Sequence, residues 1–509
     1  MFVVNRLVSN ITGLNQAMLQ RAKLFYELAG KKTKILTLRY DPSHYNDLEE
    51  VLLKKGKINE GVNVINLYEY FRAENTTSFP VIEHPVNEDG YVIEKKRNAY
   101  RYFKNGLYIK YKKYSDDGAL ERIDFFNENR YCFKSEEYDN FGYLARTIYN
   151  DLQHRRPRQE LYYRNDGTCY LSKWLEWDKE SKKNKIVRIT LFDRNGQNFK
   201  AVYSDDDLKH YFFDCIIGET EVPTFMIAEA RSVDKLILKY QRDHVFKIYV
   251  VHTMHLEEAY NEESPIDKKH ITMFDSIDMI DGVVILTNKQ REDIEQRIGM
   301  KNHLYVIPHA ISSQTNVIEE TNEFDNKKIV IVARLNKVKK LDHAIEAIAV
   351  VQKVIPDVKL EIFGEGEERE NLEELIKSLN LESNVKLLGF TDDPSEQYRN
   401  AAFSLLTSDY EGFGLVVLES LKNGCPVVSY DLKYGPSDII THDKNGILVE
   451  NKNIDELANV MIEILSNSSI LDQLRDHAAS EDLLDSFKET SFVDNWRNMY
   501  QRILDKNKI

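Results

Sequence analysis

The chain has 509 residues, too many for one hydrophobic core and enough for two or three domains. Its hydrophobic content of 42% supplies those cores, while no stretch reaches the roughly 18 apolar residues of a membrane span. A net charge of −14 argues against a general nucleic-acid or membrane-surface binder.

Met1-Phe2-Val3-Val4-Asn5-Arg6 enters a strand at once and lacks the basic and long apolar regions of a signal peptide, so a cytoplasmic location is expected. Cys132, Cys169, Cys215 and Cys425 lie far apart without metal-site spacing, as free thiols in a reducing compartment do. After a loop around Thr12-Gly13, the apolar pattern Ala17, Met18, Ala22, Leu24, Phe25, Leu28 predicts a helix, with Arg21 on the same repeat. Strands are predicted at Lys34-Ile35-Leu36-Thr37-Leu38 and Val62-Asn63-Val64-Ile65-Asn66. Such alternation of strand and helix implies a parallel, doubly wound sheet.

From about 79 to 205 the helical period almost vanishes and aromatic and β-branched residues alternate with charges. Asn105-Gly106, Asp117-Gly118, Asp166-Gly167 and Asn195-Gly196 separate the runs, and such dipeptides are strong hairpin signals. The segment reads as an antiparallel meander inserted into an α/β domain. It holds 24 Lys+Arg against 20 Asp+Glu, a net +4 in a chain whose remainder is −18.

The α/β pattern resumes at Asp206, with strands at Pro223-Thr224-Phe225-Met226-Ile227-Ala228, Lys247-Ile248-Tyr249-Val250-Val251 and Gly282-Val283-Val284-Ile285-Leu286. A second α/β unit opens at Lys328-Ile329-Val330-Ile331-Val332 and runs to a last clear strand, Pro426-Val427-Val428-Ser429-Tyr430. The expected division is 1–78 plus 206–308 for a first Rossmann-like domain, 79–205 for its insertion and 309–489 for a second Rossmann-like domain. The expected ligand site is a cleft at the carboxyl ends of the strands.

The most specific string is Tyr410-Glu411-Gly412-Phe413-Gly414-Leu415-Val416-Val417-Leu418-Glu419-Ser420, between a strand and a helix. Gly412 and Gly414 are read as allowing close approach of backbone to ligand, and amides at Phe413-Gly414-Leu415 as donors to oxygen-rich groups. Glu411 and Glu419 are eight apart, near two helical turns, so both are expected to face one molecule and accept sugar hydroxyls. Ahead of them, the basic residues Arg334 and Lys339 follow a strand. His252 ends a strand, where ligands of such sheets sit, with His255 as the lesser candidate. The acidic pairs Asp116-Asp117, Asp205-Asp206 and Asp392-Asp393 lie in turns or at helix starts and are read as caps, so no metal ligand and no cofactor is assigned.

Together these residues resemble glycosyltransferase family 4, well over 309–480 and more loosely over 1–30 and 245–300. The resemblance implies the GT-B fold, an α/β architecture of two Rossmann-like domains facing a cleft, and transfer of a sugar from UDP-sugar with retained configuration. Under it Glu411 contacts the donor sugar and Glu419 the ribose, while Arg334 and Lys339 neutralise the diphosphate and His252 positions the sugar. Gly13, counted with the donor-binding residues, belongs to the loop that cradles the acceptor phosphate or the diphosphate, and Gly389 and Phe390 lie at the nucleobase. A terminal helix at 490–509 crosses back onto the first domain.

Asp431-Leu432-Lys433-Tyr434-Gly435-Pro436-Ser437-Asp438 is similar to the stretch found in enzymes that α-glycosylate wall teichoic acid. That group carries a β-rich insertion of this kind, which implies a homo-oligomer, typically a trimer, and work near the inner face of the membrane. Lys110, Lys112, Lys113, Arg155, Arg156 and Arg158 are the expected acceptor contacts, and no nucleic-acid partner is expected. Two other readings stay open, an O-glycosyltransferase of serine-rich or Ser-Asp-repeat surface proteins and a non-catalytic acceptor-binding subunit.

Overall fold

The computed structural model describes residues 1–7, 13–42, 45–72, 80–219, 221–258, 260–261, 263–311, 324–478 and 480–507, in two compact units, Met1–Val245 and Phe246–Ile509. Thr12 and the boundary expected at 78/79 lie outside the described residues. Among the described residues no helix is long and apolar enough to cross a membrane.

In the first unit, Phe2–Val4 pairs in parallel with Thr33–Thr37 on one side and Thr224–Ala228 on the other, and Val62–Asn66 adds a further parallel strand. The strand Phe2–Val4 is wholly buried, as apolar residues of a sheet covered on both faces must be. The helix Leu14–Ala29 buries Ala17, Met18, Leu19, Ala22, Leu24 and Phe25 and stops at Gly30, whose left-handed φ of 62° ends it.

Ten antiparallel strands form the insertion, paired in chain order from Val92–Lys96 to Asn198–Val202. Asn105-Gly106 adopts φ of 50° and 79°, the positive values a two-residue hairpin turn requires. Tyrosines fasten this sheet to the parallel strands. Tyr68, beside the strand Val62–Asn66, stacks on Tyr162 of the insertion at 5.3 Å and accepts a 2.9 Å hydrogen bond from the Lys173 ammonium.

In the second unit, Val245–Val251, Gly282–Ile285 and Leu304–Val306 run parallel. The terminal helix Glu489–Lys506 packs beneath them, since Met499 and Ile503 lie against Gly282. Six further parallel strands take the order Val385–Gly389, Lys359–Phe363, Asp325–Val332, Ala401–Leu406, Val427–Tyr430, Gly446–Val449. Numbered along the chain, that order is 3-2-1-4-5-6, the Rossmann arrangement, with its direction reversal between Asp325–Val332 and Ala401–Leu406. Leu341–Val351 and Ile454–Ser466 cover the sheet with buried aliphatic faces built from Leu341, Ile345, Ile348, Leu457 and Met461. The sixth strand, Gly446–Val449, goes beyond the sequence reading, which stopped at Tyr430.

Candidate active site

Ligands of an open α/β sheet bind where the strand order reverses, outside the carboxyl ends of the two diverging strands. In the six-stranded sheet those ends lead into Arg334 and, through Thr407-Ser408, into Glu411. The topology therefore brings together two stretches 70 residues and more apart in the chain.

Beyond the first of these strands, Asn336 caps a single turn, Lys337–Lys339, by accepting the Lys339 amide. That turn aims the Lys339 ammonium at Glu411, 2.5 Å from its Oε1. Ser408 donates to the same oxygen at 2.7 Å, and Thr407 Oγ1 donates to the Lys339 carbonyl at 2.9 Å. Both partners of the ion pair are half-buried, where a charge-assisted hydrogen bond is stronger than on an open surface. Arg334 differs. It is exposed, and among the described residues no ion pair or hydrogen bond involves its guanidinium.

Glu411 is not part of the helix that follows. Helix Leu415–Lys422 starts four residues later, so the eight-residue spacing to Glu419 is not a helical one, contrary to the expectation of two turns. Gly414 caps that helix with a left-handed φ of 83° and without a side-chain hydrogen bond. Glu419 sits in the helix, where desolvation pushes its carboxyl up to about 7 against the opposing pull of Lys422.

The role of Gly412 also differs from the expectation. A Cβ there would lie 2.0 Å from the carbonyl oxygen of His252, so what approaches its Cα is protein backbone. His252 follows the strand Val245–Val251, and its ring stacks on His309 at 5.7 Å and 10°. His309 in turn meets the edge of buried Phe413 at 5.3 Å. The glutamate loop and His252 are thus joined twice, by backbone and by a column of rings. His255 is fully buried, stacks on Tyr434 and has its pKa lowered to about 4 by desolvation and by Arg297, which makes it a packing residue.

Two glycines on the neighbouring turn serve the Arg334 loop. Cβ atoms at Gly364 and Gly366 would lie 1.9 Å and 2.1 Å from the carbonyl oxygens of Ala333 and Leu335. Gly389 has φ of 78°, and its carbonyl accepts the Gly364 amide at 2.7 Å. Phe390 beside it is 72% exposed, an open aromatic face. A cavity of about 350 Å³ adjoins the glutamate loop and is lined by Tyr410, Tyr260, Glu257, Glu258 and Asp267 among others. Among the described residues no group of His, Cys, Asp and Glu could hold a metal ion. Asp393 caps the helix Pro394–Arg399, as its capping reading expects, whereas Ser204 caps Asp205–Ile217 and Asp205–Asp207 occupy its first turn.

In the first unit, Gly13 opens the helix Leu14–Ala29 at φ 57° with free space around its Cα. The insertion corrects two expectations. Lys110 and Lys112 are 8% and 4% exposed, and both ammonium groups bind Glu88. The irregular segment carrying His84, Pro85, Val86 and Glu88 lies over that part of the sheet, where its carbonyls accept Tyr102, Lys112 and Tyr114. Lys113 is exposed and paired with Glu121. Arg155, Arg156 and Arg158 are exposed and lie over Tyr131, Trp177 and Trp174 at 4.3, 4.6 and 5.2 Å.

Sequence reasoning missed Ser408, Asn336 and His309. Asn336 carried a readable sign, a capping residue directly ahead of a short turn. Ser408 and His309 carried none, because their roles depend on which loops the sheet order brings together.

The family described as "Glycosyl transferases group 1" matches residues 313–481, and "Glycosyl transferase 1 domain A" matches residues 1–193. The chain belongs to glycosyltransferase family 4 and has the GT-B fold, two Rossmann-like α/β domains with a large antiparallel sheet inserted in the first. It is similar to a poly(glycerol-phosphate) alpha-glucosyltransferase of Bacillus subtilis, 28% identical over 97% of this chain and 74% of that one. A poly(ribitol-phosphate) alpha-N-acetylglucosaminyltransferase of Staphylococcus aureus is 27% identical, over 98% of both chains. A UDP-N-acetylglucosamine–peptide N-acetylglucosaminyltransferase GtfA subunit of Streptococcus parasanguinis is 22% identical over 82% of this chain and 87% of its own. In fold, a mutant of S. aureus TarM superposes with a TM-score of 0.81 at 24% identity, covering 98% of this chain and 99% of that one.

Proposed function

We propose that this glycosyltransferase moves a hexose, with glucose favoured over N-acetylglucosamine, from a UDP-sugar to a poly(polyol-phosphate) of the wall teichoic acid type, forming an α-glycoside. The observation that carries the reading is the Lys339–Glu411 pair, 2.5 Å apart at the reversal of a 3-2-1-4-5-6 sheet, with exposed Arg334 at the neighbouring strand end.

In this reading the diphosphate of the donor reaches Arg334 and Lys339, two cations fixed where negative charge grows as the glycosidic bond breaks. Glu411 takes Lys339 and Ser408 on Oε1, which leaves Oε2 for a donor hydroxyl. Backbone amides around Gly414 and Leu415 meet the sugar, Glu419 meets the ribose, and Phe390 and Gly389 flank the base. Gly13, in the acceptor-binding domain formed by 1–78 plus 206–308, faces the phosphate of the acceptor. The acceptor hydroxyl attacks from the face the diphosphate leaves. Its proton passes to the departing phosphate oxygen, so the carbon–oxygen bond formed replaces the one broken with configuration retained. His252 holds the sugar during that exchange.

On the acceptor side, Arg155, Arg156 and Arg158 with Tyr131, Trp174 and Trp177 form a surface that suits repeating phosphates and polyol chains. Lys110 and Lys112 drop out, since both are buried and turned onto Glu88. The two relatives named for polyol-phosphate acceptors are more similar to this chain than the peptide-directed one, which favours polymer over protein. The edge strand Val92–Lys96, with Val92 73% exposed, suits pairing between copies in a trimer of cytoplasmic subunits working close to the membrane.

A product assay tests the reading. Purified enzyme is given labelled UDP-glucose or UDP-N-acetylglucosamine with poly(glycerol phosphate), poly(ribitol phosphate) or a Ser-Asp-repeat peptide. Label in polymer and none in peptide is expected; label in peptide alone would replace the acceptor assignment. Light scattering of the purified protein tests the trimer.

A further inference from the structure

We propose that Tyr434 and Asp293 form a positioning latch that sets the geometry of the glutamate loop 410–414, and so the affinity for the nucleotide donor. The inference rests on reading that loop as the donor site.

Tyr434 is fully buried and holds φ of 77°. A bulky residue keeps this left-handed backbone only where its surroundings enforce it, and such outliers collect at functional sites. The enforcement is visible. Its phenol donates to Asp293 Oδ2 at 2.5 Å, and the Lys433 ammonium reaches both oxygens of the same carboxylate at 3.0 and 3.1 Å. The ring stacks on His255 at 5.8 Å and packs with Met254 and Leu256. Asp293 lies on the helix Asn288–Ile298, anchored beside the strand ends by Gln290, whose amide donates to the Thr253 carbonyl at 3.0 Å.

The next residue carries the effect to the site. Gly435 has φ of 89°, and a Cβ on it would lie 2.1 Å from the carbonyl oxygen of Phe413. Phe413 follows Gly412, whose Cα abuts the carbonyl of His252. The loop bearing Glu411 is therefore held between two backbone contacts, one from the end of the strand Val245–Val251 and one from the turn that Tyr434 shapes. Asp293 sets the second contact through two hydrogen-bonded neighbours in a row. It touches no donor group itself and acts through Tyr434, Gly435 and Phe413.

The experiment compares wild type with Tyr434→Phe, Asp293→Asn and the double variant. UDP binding is read by calorimetry, and UDP-glucose and UDP-N-acetylglucosamine turnover by steady-state kinetics. Loss of one charge-assisted hydrogen bond predicts a rise of about tenfold in the UDP Kd and the donor KM, with kcat nearly unchanged. The double variant is expected to be no worse than the more severe single one, because one substitution removes and the other weakens the same hydrogen bond. A Kd change under about threefold in both single variants overturns the latch, as does an effect confined to thermal stability. If Tyr434→Phe does not fold, Asp293→Asn carries the same measurement. Wild type that binds no UDP would remove the donor-site reading itself; wild type that binds it while both variants bind equally well removes only the latch.

Discussion

The insertion and the carboxyl-terminal sheet both carry lysines that meet glutamate, and they use the pair to opposite ends. On the insertion, Lys110 and Lys112 converge on Glu88 beneath an overlying segment, so two of its positive charges are spent inside the fold. At the sheet reversal, Lys339 meets Glu411 in a half-buried loop beside an exposed Arg334 that has no ion pair among the described residues. A surplus of basic residues is thus a poor guide to a surface field, whereas a pair at the ends of diverging strands lies where ligands of such sheets bind. The arginines over Tyr131, Trp174 and Trp177, by contrast, keep their charge at the surface of the insertion.

The contrast can be pressed hardest at Glu411. Glu411→Ala or Lys339→Ala is expected to lower kcat by about 100- to 1,000-fold, the range for losing a group that meets developing charge. Unchanged initial rates would put the two lysine–glutamate pairs on the same structural footing. Gly412→Ala should cost about 10- to 100-fold, since its methyl group must push the loop away from the His252 carbonyl. Next come the two kinds of basic residue on the insertion. Arg156→Ala with Arg158→Ala should raise the acceptor KM about three- to tenfold and leave donor hydrolysis unchanged. Lys112→Ala should instead lower thermal stability by about 1–3 kcal/mol by removing its bonds to Glu88 and to the Pro85 carbonyl, with no effect on acceptor KM.

A smaller effect concerns pH. The Glu419 carboxyl is raised from 4.5 to about 7 by burial. Below 4.5 the folded and unfolded states both hold the proton, and between the two values only the folded state does. Stability is therefore lost as pH rises through that window, and above 7 the folded protein carries a desolvated charge. Glu419→Gln should gain about 2–4 °C in apparent melting temperature over wild type between pH 5 and pH 8, measured by calorimetry. A constant difference would mean that Glu419 titrates normally. The smallest effect is expected for Lys113→Ala, whose exposed pair with Glu121 should be worth less than about 1 kcal/mol.

Much of this was legible in the residues. Asn105-Gly106 and its three counterparts announce hairpins because a two-residue turn has few solutions, and all four glycines take positive φ. The aliphatic runs mark parallel strands for the same local reason, and the string from Tyr410 to Ser420 marks the site. The rest depended on distant parts of the chain. Alternation along Leu107–Tyr114 states that Lys110 and Lys112 share a face, but not that residues 84–88 cover it. The gap between Glu411 and Glu419 states a distance along the chain, but only the capping conformation of Gly414 decides where helix begins. Gly446–Val449 is a four-residue edge strand, too short for its period to show.

The contact between Gly412 and the His252 carbonyl has a consequence for engineering. In a saturation scan, position 412 should tolerate as little as Glu411 itself, although it contributes no functional group. Grafting the segment from Tyr410 to Ser420 onto another scaffold would fail unless the residues at the end of Val245–Val251 travelled with it. Attempts to change the sugar accepted are better spent on side chains beside the proposed sugar position, such as Leu415, than on position 412.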